Sequence, residues 1–180
     1  MSHLTDAARK TYIALHHAGA NGTQFLNPAP FAAPYTGCAT NGNRYDFAVN
    51  GNGVIAVGER YRNPNGCHAT TCNCQATGIV MLGCFGGCSG PVEAATASQK
   101  CAVAHIWKHL GINTGDPAKL KPHRYCDRAN PCGGSPTGTV CCGTRYTSTN
   151  AASDYWSSEG LTLRNQIANQ AATQPTWPTC

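Results

Sequence analysis

Thr11-Tyr12-Ile13-Ala14-Leu15-His16-His17-Ala18-Gly19 is the stretch on which the fold turns. Thr11 to Leu15 is short, apolar and rich in residues that favour extended backbone. It reads as a buried strand that delivers two histidines to its C-terminal end. A second run of the same kind, Gly78-Ile79-Val80-Met81-Leu82-Gly83, lies downstream. Continuous apolar runs of this length suit strands covered on both faces, as in sheets with helices packed against them.

Between these runs, Ala18 to Asn43 is rich in Gly, Asn, Pro and Ala and is expected to be a long loop with one helical turn. Tyr45 to Val49 alternates as a strand, Asn50-Gly51-Asn52-Gly53 is a tight-turn signal, and Val54 to Val57 returns as its partner. Asn63 to Thr77 is a cysteine-rich loop, and Cys84 to Pro91 a glycine-rich turn. Pro91 to Leu110 is the strongest helical segment, with Pro91 suiting a first helical position and Gly111 the stop. Lys119 to His123 reads as extended, Cys126 to Gly143 as a loop, and about Leu161 to Ala171 as a second helix with Leu163 and Ile167 inward. Alternating strands and helices make the expected class α/β. The expectation is a single domain over 1–180, with a central mixed β-sheet flanked by helices and with disulfide-rich loops. His16 and the His123 segment would then meet at one rim of the sheet.

Composition sets the outer bounds. The 180 residues are 41% hydrophobic and 12% charged, with a formal net charge of +5. This suits one soluble domain with a polar, sparsely charged surface. The charge reads equally as a mildly basic surface without a partner or as attraction to a polyanion, such as an acidic bacterial wall or nucleic acid. No Lys/Arg-rich run interleaved with aromatics occurs, which argues against nucleic acid. No apolar stretch reaches the roughly 18 residues of a membrane span, so no membrane insertion is expected. Met1 to Lys10 lacks the apolar core of a secretory signal.

Twelve cysteines read as a disulfide framework in an oxidising compartment. Cys67, Cys72 and Cys74 with His68 offer a structural zinc knuckle, but the paired CxxC motifs of such sites are absent. His105 and His109 stand at i, i+4 on the long helix, yet the run His105-Ile106-Trp107-Lys108-His109 lacks the glutamate of a zinc-protease helix. A different trio, His16, His123 and Cys141, offers two imidazoles and a thiolate on separate segments. Catalytic zinc is held by three such protein ligands, with a fourth position left for water.

In chain order, these elements resemble the zinc-dependent N-acetylmuramoyl-L-alanine amidases of the type-2 amidase and peptidoglycan recognition protein family, phage lysins among them. The resemblance spans about residues 11–146. It runs through Ile13 to Gly19, the hairpin Tyr45 to Ile55, Gly66-Cys67-His68-Ala69, Asn73, Gly78 to Gly83, Leu110-Gly111-Ile112, His123-Arg124 and Thr139-Val140-Cys141-Cys142-Gly143. It implies a peptidoglycan hydrolase that cleaves the amide between N-acetylmuramic acid and L-alanine with zinc-activated water. The alternative within the family is a recognition module that binds peptidoglycan without cutting it.

By that resemblance His16, His123 and Cys141 hold one Zn²⁺, Tyr45 and Thr139 are catalytic, and His68 and Asn73 shape the site or meet substrate; Tyr35, as a loop aromatic, is expected to stack on sugar. Cys132 is a rival third ligand. Seventeen residues separate His123 from Cys141, more than the family's usual gap, and Cys132 is nearer that spacing. The pattern Thr139-x-Cys141-x-Gly143 favours Cys141, and a Cys126–Cys132 disulfide would tie off the extra loop. The implied partner is bacterial peptidoglycan, met by a monomer outside the cell or released to the wall after lysis.

Overall fold

The computed structural model describes residues 10–33, 45–58, 68, 75–129, 141 and 143–173. Its centre is a five-stranded mixed sheet in the order β3-β2-β4-β1-β5. The strands are β1 (Tyr12–His17), β2 (Phe47–Val49), β3 (Ile55–Val57), β4 (Ala76–Met81) and β5 (Leu120–Pro122). β1 lies between β4 and β5 and runs parallel to both, with His16 opposite Val80 and Leu15 opposite Pro122. β2 is parallel to β4, and only β3, at the edge, is antiparallel. Among the described residues four α-helices accompany the sheet: α1 (Ala29–Ala32), α2 (Ala97–His109), α3 (His123–Ala129) and α4 (Ser158–Thr173).

The period-2 alternation of β1 gives the sheet two unlike faces. Ile13 and Leu15 point into the main core with Ile79, Met81, Trp107 and Ile167. On this side α2 is buried nearly all round, from Cys101 to Ala104 and again at Ile106 and Trp107, because α4 covers it from outside. α4 presents Leu163, Ile167 and Ala171 at helical spacing. Trp107 is fully buried in this core, so its role is packing. Among the described residues the opposite face has lighter cover. Ala14 and Ala76 cluster with Tyr12 and Cys126, and Ala48 and Val80 with Ala32.

Several boundaries depart from the sequence expectation. The long helix starts at Ala97, not Pro91, because Thr96 and Gln99 form a capping box: the Thr96 hydroxyl accepts from Gln99 N, and Gln99 Oε1 accepts from Thr96 N. Gln99 is itself fully buried, and its Nε2 donates to the Leu82 carbonyl at 2.8 Å, tying the helix start to the end of β4. β2 starts at Phe47, since Asp46 turns its carboxylate to the Gly78 N–H at 2.6 Å. The hairpin turn is held by Asn50, whose Oδ1 accepts from Asn52 N and Val54 N, both at 3.0 Å. β5 ends at Pro122, and His123 opens α3 where a loop was expected from Cys126 onward. Of the cysteines expected in loops, Cys126 instead lies on α3, where it is disulfide-bonded; Cys101, on the expected helix α2, is disulfide-bonded too, and Cys84 pairs with Cys88 in the turn after β4. Among the described residues no helix is long and apolar enough to cross a membrane.

Candidate metal centre

The C-terminal ends of β1 and β5 are neighbours in the sheet, so the residues that leave them, His16 and His123, come together. Their rings lie 4.3 Å apart, centroid to centroid. Cys141 completes the group: one ligand atom from each of His16, His123 and Cys141 falls within 4.8 Å of the others. Rims of this kind, at the carboxyl ends of parallel strands, are where open α/β sheets place their ligands.

Cys141 is fixed by main-chain contacts on two sides. Its carbonyl accepts from Arg124 N at 3.0 Å, and its Sγ accepts from His17 N at 3.3 Å. Gly143, two residues on, has φ +86° and sits where a Cβ would strike the Phe85 carbonyl. Glycine is therefore required for the chain to pass the sheet and present Cys141. Cys141 is buried and is not in a disulfide. Burial pushes this thiol up to about 12, against the lowering contribution of the His17 amide, and nearby Asp127 adds to the rise.

The imidazoles sit in similarly dry surroundings. Burial lowers His123 from its ordinary value, and Asp127 opposes that shift. His123 Nε2 is buried without a hydrogen-bond partner, and Asp127 Oδ1 stands 3.9 Å away, beyond hydrogen-bonding range. An orphaned imidazole nitrogen, a second buried imidazole and a thiol outside any disulfide form a compact N, N, S donor set. That chemistry fits a borderline divalent cation with tetrahedral preference. His17, by contrast, points to the other face: its Nδ1 accepts from Phe85 N at 3.3 Å, its ring stacks on Phe85, and burial lowers its pKa to about 4.

Two further expected site residues lie beside His16. The Tyr45 ring is 5.0 Å from the His16 ring, partly exposed at the start of the segment leading into β2. His68 is buried, 6% exposed, and both its ring nitrogens face protein atoms: Nδ1 lies 3.1 Å from His16 Nε2, and Nε2 lies 3.1 Å from the Ala76 carbonyl. It therefore stands at the His16 nitrogen remote from Cys141. Tyr35, Asn73, Thr139 and the rival ligand Cys132 lie outside the described residues. The backbone amide of His17 and the carboxylate of Asp127 were missed as site groups. The amide carries no side-chain signal, whereas Asp127 stands at i+4 from His123 and would have been visible had the helix been recognised.

Comparison with known proteins gives a consistent picture. Residues 6–143 match the family model described as N-acetylmuramoyl-L-alanine amidase. None of the curated proteins is matched. Among solved structures, the fold is similar to the endolysin N-acetylmuramoyl-L-alanine amidase LysCS from Clostridium intestinale URNW, at TM-score 0.50 and 21% identity over 78% of this chain and 79% of that one. It is also similar to a point mutant of Drosophila PGRP-LB in complex with tracheal cytotoxin, at TM-score 0.51 and 21% identity over 76% of each chain.

Proposed function

The chain belongs to the N-acetylmuramoyl-L-alanine amidase family, and from that premise we propose that it is a zinc-dependent peptidoglycan hydrolase cleaving the amide between N-acetylmuramic acid and the L-alanine of the stem peptide. The observation that carries the reading is the convergence of His16, His123 and Cys141 ligand atoms within 4.8 Å at the sheet rim.

In this reading His16, His123 and Cys141 hold one zinc ion. Bound zinc supplies a Lewis acid that polarises the scissile carbonyl and brings the pKa of water to about 7. The chain's own residues do the rest. Tyr45, whose ring lies 5.0 Å from that of His16, supplies a phenol whose O–H would orient water or donate to the oxygen on which charge develops. Thr139, placed by family resemblance two residues before Cys141, polarises the same carbonyl. Tyr35 and Asn73 contact the glycan or peptide. The fixed main-chain contacts of Cys141 keep the ligand set from rearranging as charge moves.

The test is direct. Purified chain is assayed for zinc content and for release of stem peptides with a free N-terminal L-alanine from purified peptidoglycan. Expected are one zinc per chain and activity that is lost in chelator, restored by zinc and absent in His123→Ala. Activity retained in a metal-free His123→Ala chain overturns the mechanism. Peptidoglycan binding without any release, by zinc-loaded chain, identifies a recognition module instead.

A further inference from the structure

We propose that His68 is a positioning residue: it holds the His16 imidazole as its Nε2–H tautomer and so aims the Nδ1 lone pair at the metal position. The Ala76 carbonyl can only accept, so the His68 Nε2 that lies 3.1 Å from it must donate. In the neutral ring, His68 Nδ1 is then an acceptor. His16 Nε2, 3.1 Å away, must supply the proton. That makes His16 Nδ1 the lone-pair nitrogen of the ring, and this is the nitrogen that faces Cys141 Sγ at 3.7 Å. A backbone carbonyl on β4 therefore dictates, through two rings, which nitrogen of His16 is available to a cation.

A second observation concerns space. His68 packs flat on the sheet over Gly78, where any Cβ would run into the imidazole ring. The same Gly78 accepts from Asp46 N through its carbonyl and donates its N–H to the Asp46 carboxylate. The strand beneath His68 is thus clamped as well as cleared. The two imidazoles meet nearly edge to face, at 83°, which directs a ring nitrogen of one at the ring edge of the other. Histidine ligands generally depend on such an outer partner for ring orientation and basicity.

This inference rests on the reading of His16, His123 and Cys141 as zinc ligands. It assigns His68 to the ligand's support, with no direct contact to substrate. Three measurements on the full chain test it. Zinc affinity is read by competition with a chromophoric chelator for the unmodified chain, His68→Ala and His68→Asn. Asn keeps an acceptor oxygen close to the position of Nδ1. Kinetics on zinc-saturated protein separate KM from kcat. Two-bond ¹H–¹⁵N imidazole correlations of the zinc-free, unmodified chain report the His16 tautomer.

His68→Ala is expected to weaken zinc binding about 10- to 100-fold, with KM of the saturated enzyme unchanged, and His68→Asn to recover most of the affinity. The free chain is expected to show His16 protonated at Nε2. Unaltered zinc affinity in His68→Ala overturns the proposal, and so does a raised KM without loss of affinity, which places His68 on substrate. A His16 proton at Nδ1 also overturns it. The tautomer measurement needs no variant, so it decides even if His68→Ala fails to fold. A failure of the zinc reading is separately visible, as absence of zinc from the unmodified chain.

Discussion

The main-chain N–H of His17 donates to the Sγ of Cys141 at 3.3 Å, across 124 positions of sequence. The last residue of β1 thus serves the site through its backbone, while its imidazole serves the opposite face of the sheet, against Phe85. The double histidine is therefore two different devices: His16 offers a ring nitrogen, and His17 an amide that anchors the neighbouring thiol.

That anchoring does not overcome burial, which leaves the Cys141 thiol raised to about 12 in the metal-free chain. If Cys141 is a zinc ligand as proposed, zinc must displace the thiol proton at any neutral pH. Binding is expected to release about one proton per zinc and to tighten about tenfold per pH unit as pH rises, until competing hydroxide intervenes. Calorimetry in two buffers of different ionisation enthalpy measures the release. Binding with no proton release would place the thiolate outside the metal's reach.

Cys141→Ser separates the two sequence candidates for the third ligand. Because the Arg124 amide bonds the Cys141 carbonyl, not its side chain, the loop should keep its path. Zinc affinity is expected to fall by more than about 100-fold, beyond what losing an outer-sphere partner costs. Affinity close to that of the unmodified chain would assign the role to Cys132.

His17 makes the metal-free fold sensitive to acid. Its pKa falls from 6.5 to about 4 on folding, so the folded state takes up a proton less readily than the unfolded one. The associated stability is present above about pH 6.5 and is lost as pH falls toward 4, amounting to up to about 3 kcal/mol. Urea unfolding in chelator at pH 7 and pH 4 measures the difference. His17→Gln should flatten it, and an undiminished slope in that variant would show that another group carries the linkage.

Gly78→Ala tests the clearance under His68. The added methyl meets the imidazole directly, so His68 or the strand must shift, at a cost of about 1–3 kcal/mol. The melting temperature of the zinc-free chain should drop accordingly, and zinc affinity should fall with it. A neutral substitution would mean that His68 moves aside freely.

Legibility followed physical locality. β1 and β4 were readable because strands buried on both faces are continuous apolar runs, and the β2–β3 turn because Asn50 to Gly53 carries its own chemistry. The triad could be assembled from the family's order of motifs, since strand ends at one rim bring distant residues together. The start of α2 was misread by giving weight to Pro91 over the Thr96–Gln99 pair, although that capping signal was present. α3 was missed because its seven residues, His123 to Ala129, show no apolar periodicity. The position of His68 was beyond reach, since its contacts with His16 cross 52 residues and depend on Gly78 lying beneath it.

The unequal cover of the sheet carries a consequence for motion. Among the described residues, one face lies under α2 and α4, of 13 and 16 residues, and the other under α1 and α3, of 4 and 7. Short covers bury little and can detach without unravelling what they rest on. Amide hydrogen exchange should therefore be slow in α2, α4 and β4 and much faster in α1 and α3. The ligand side of the molecule would breathe while its foundation stays shut.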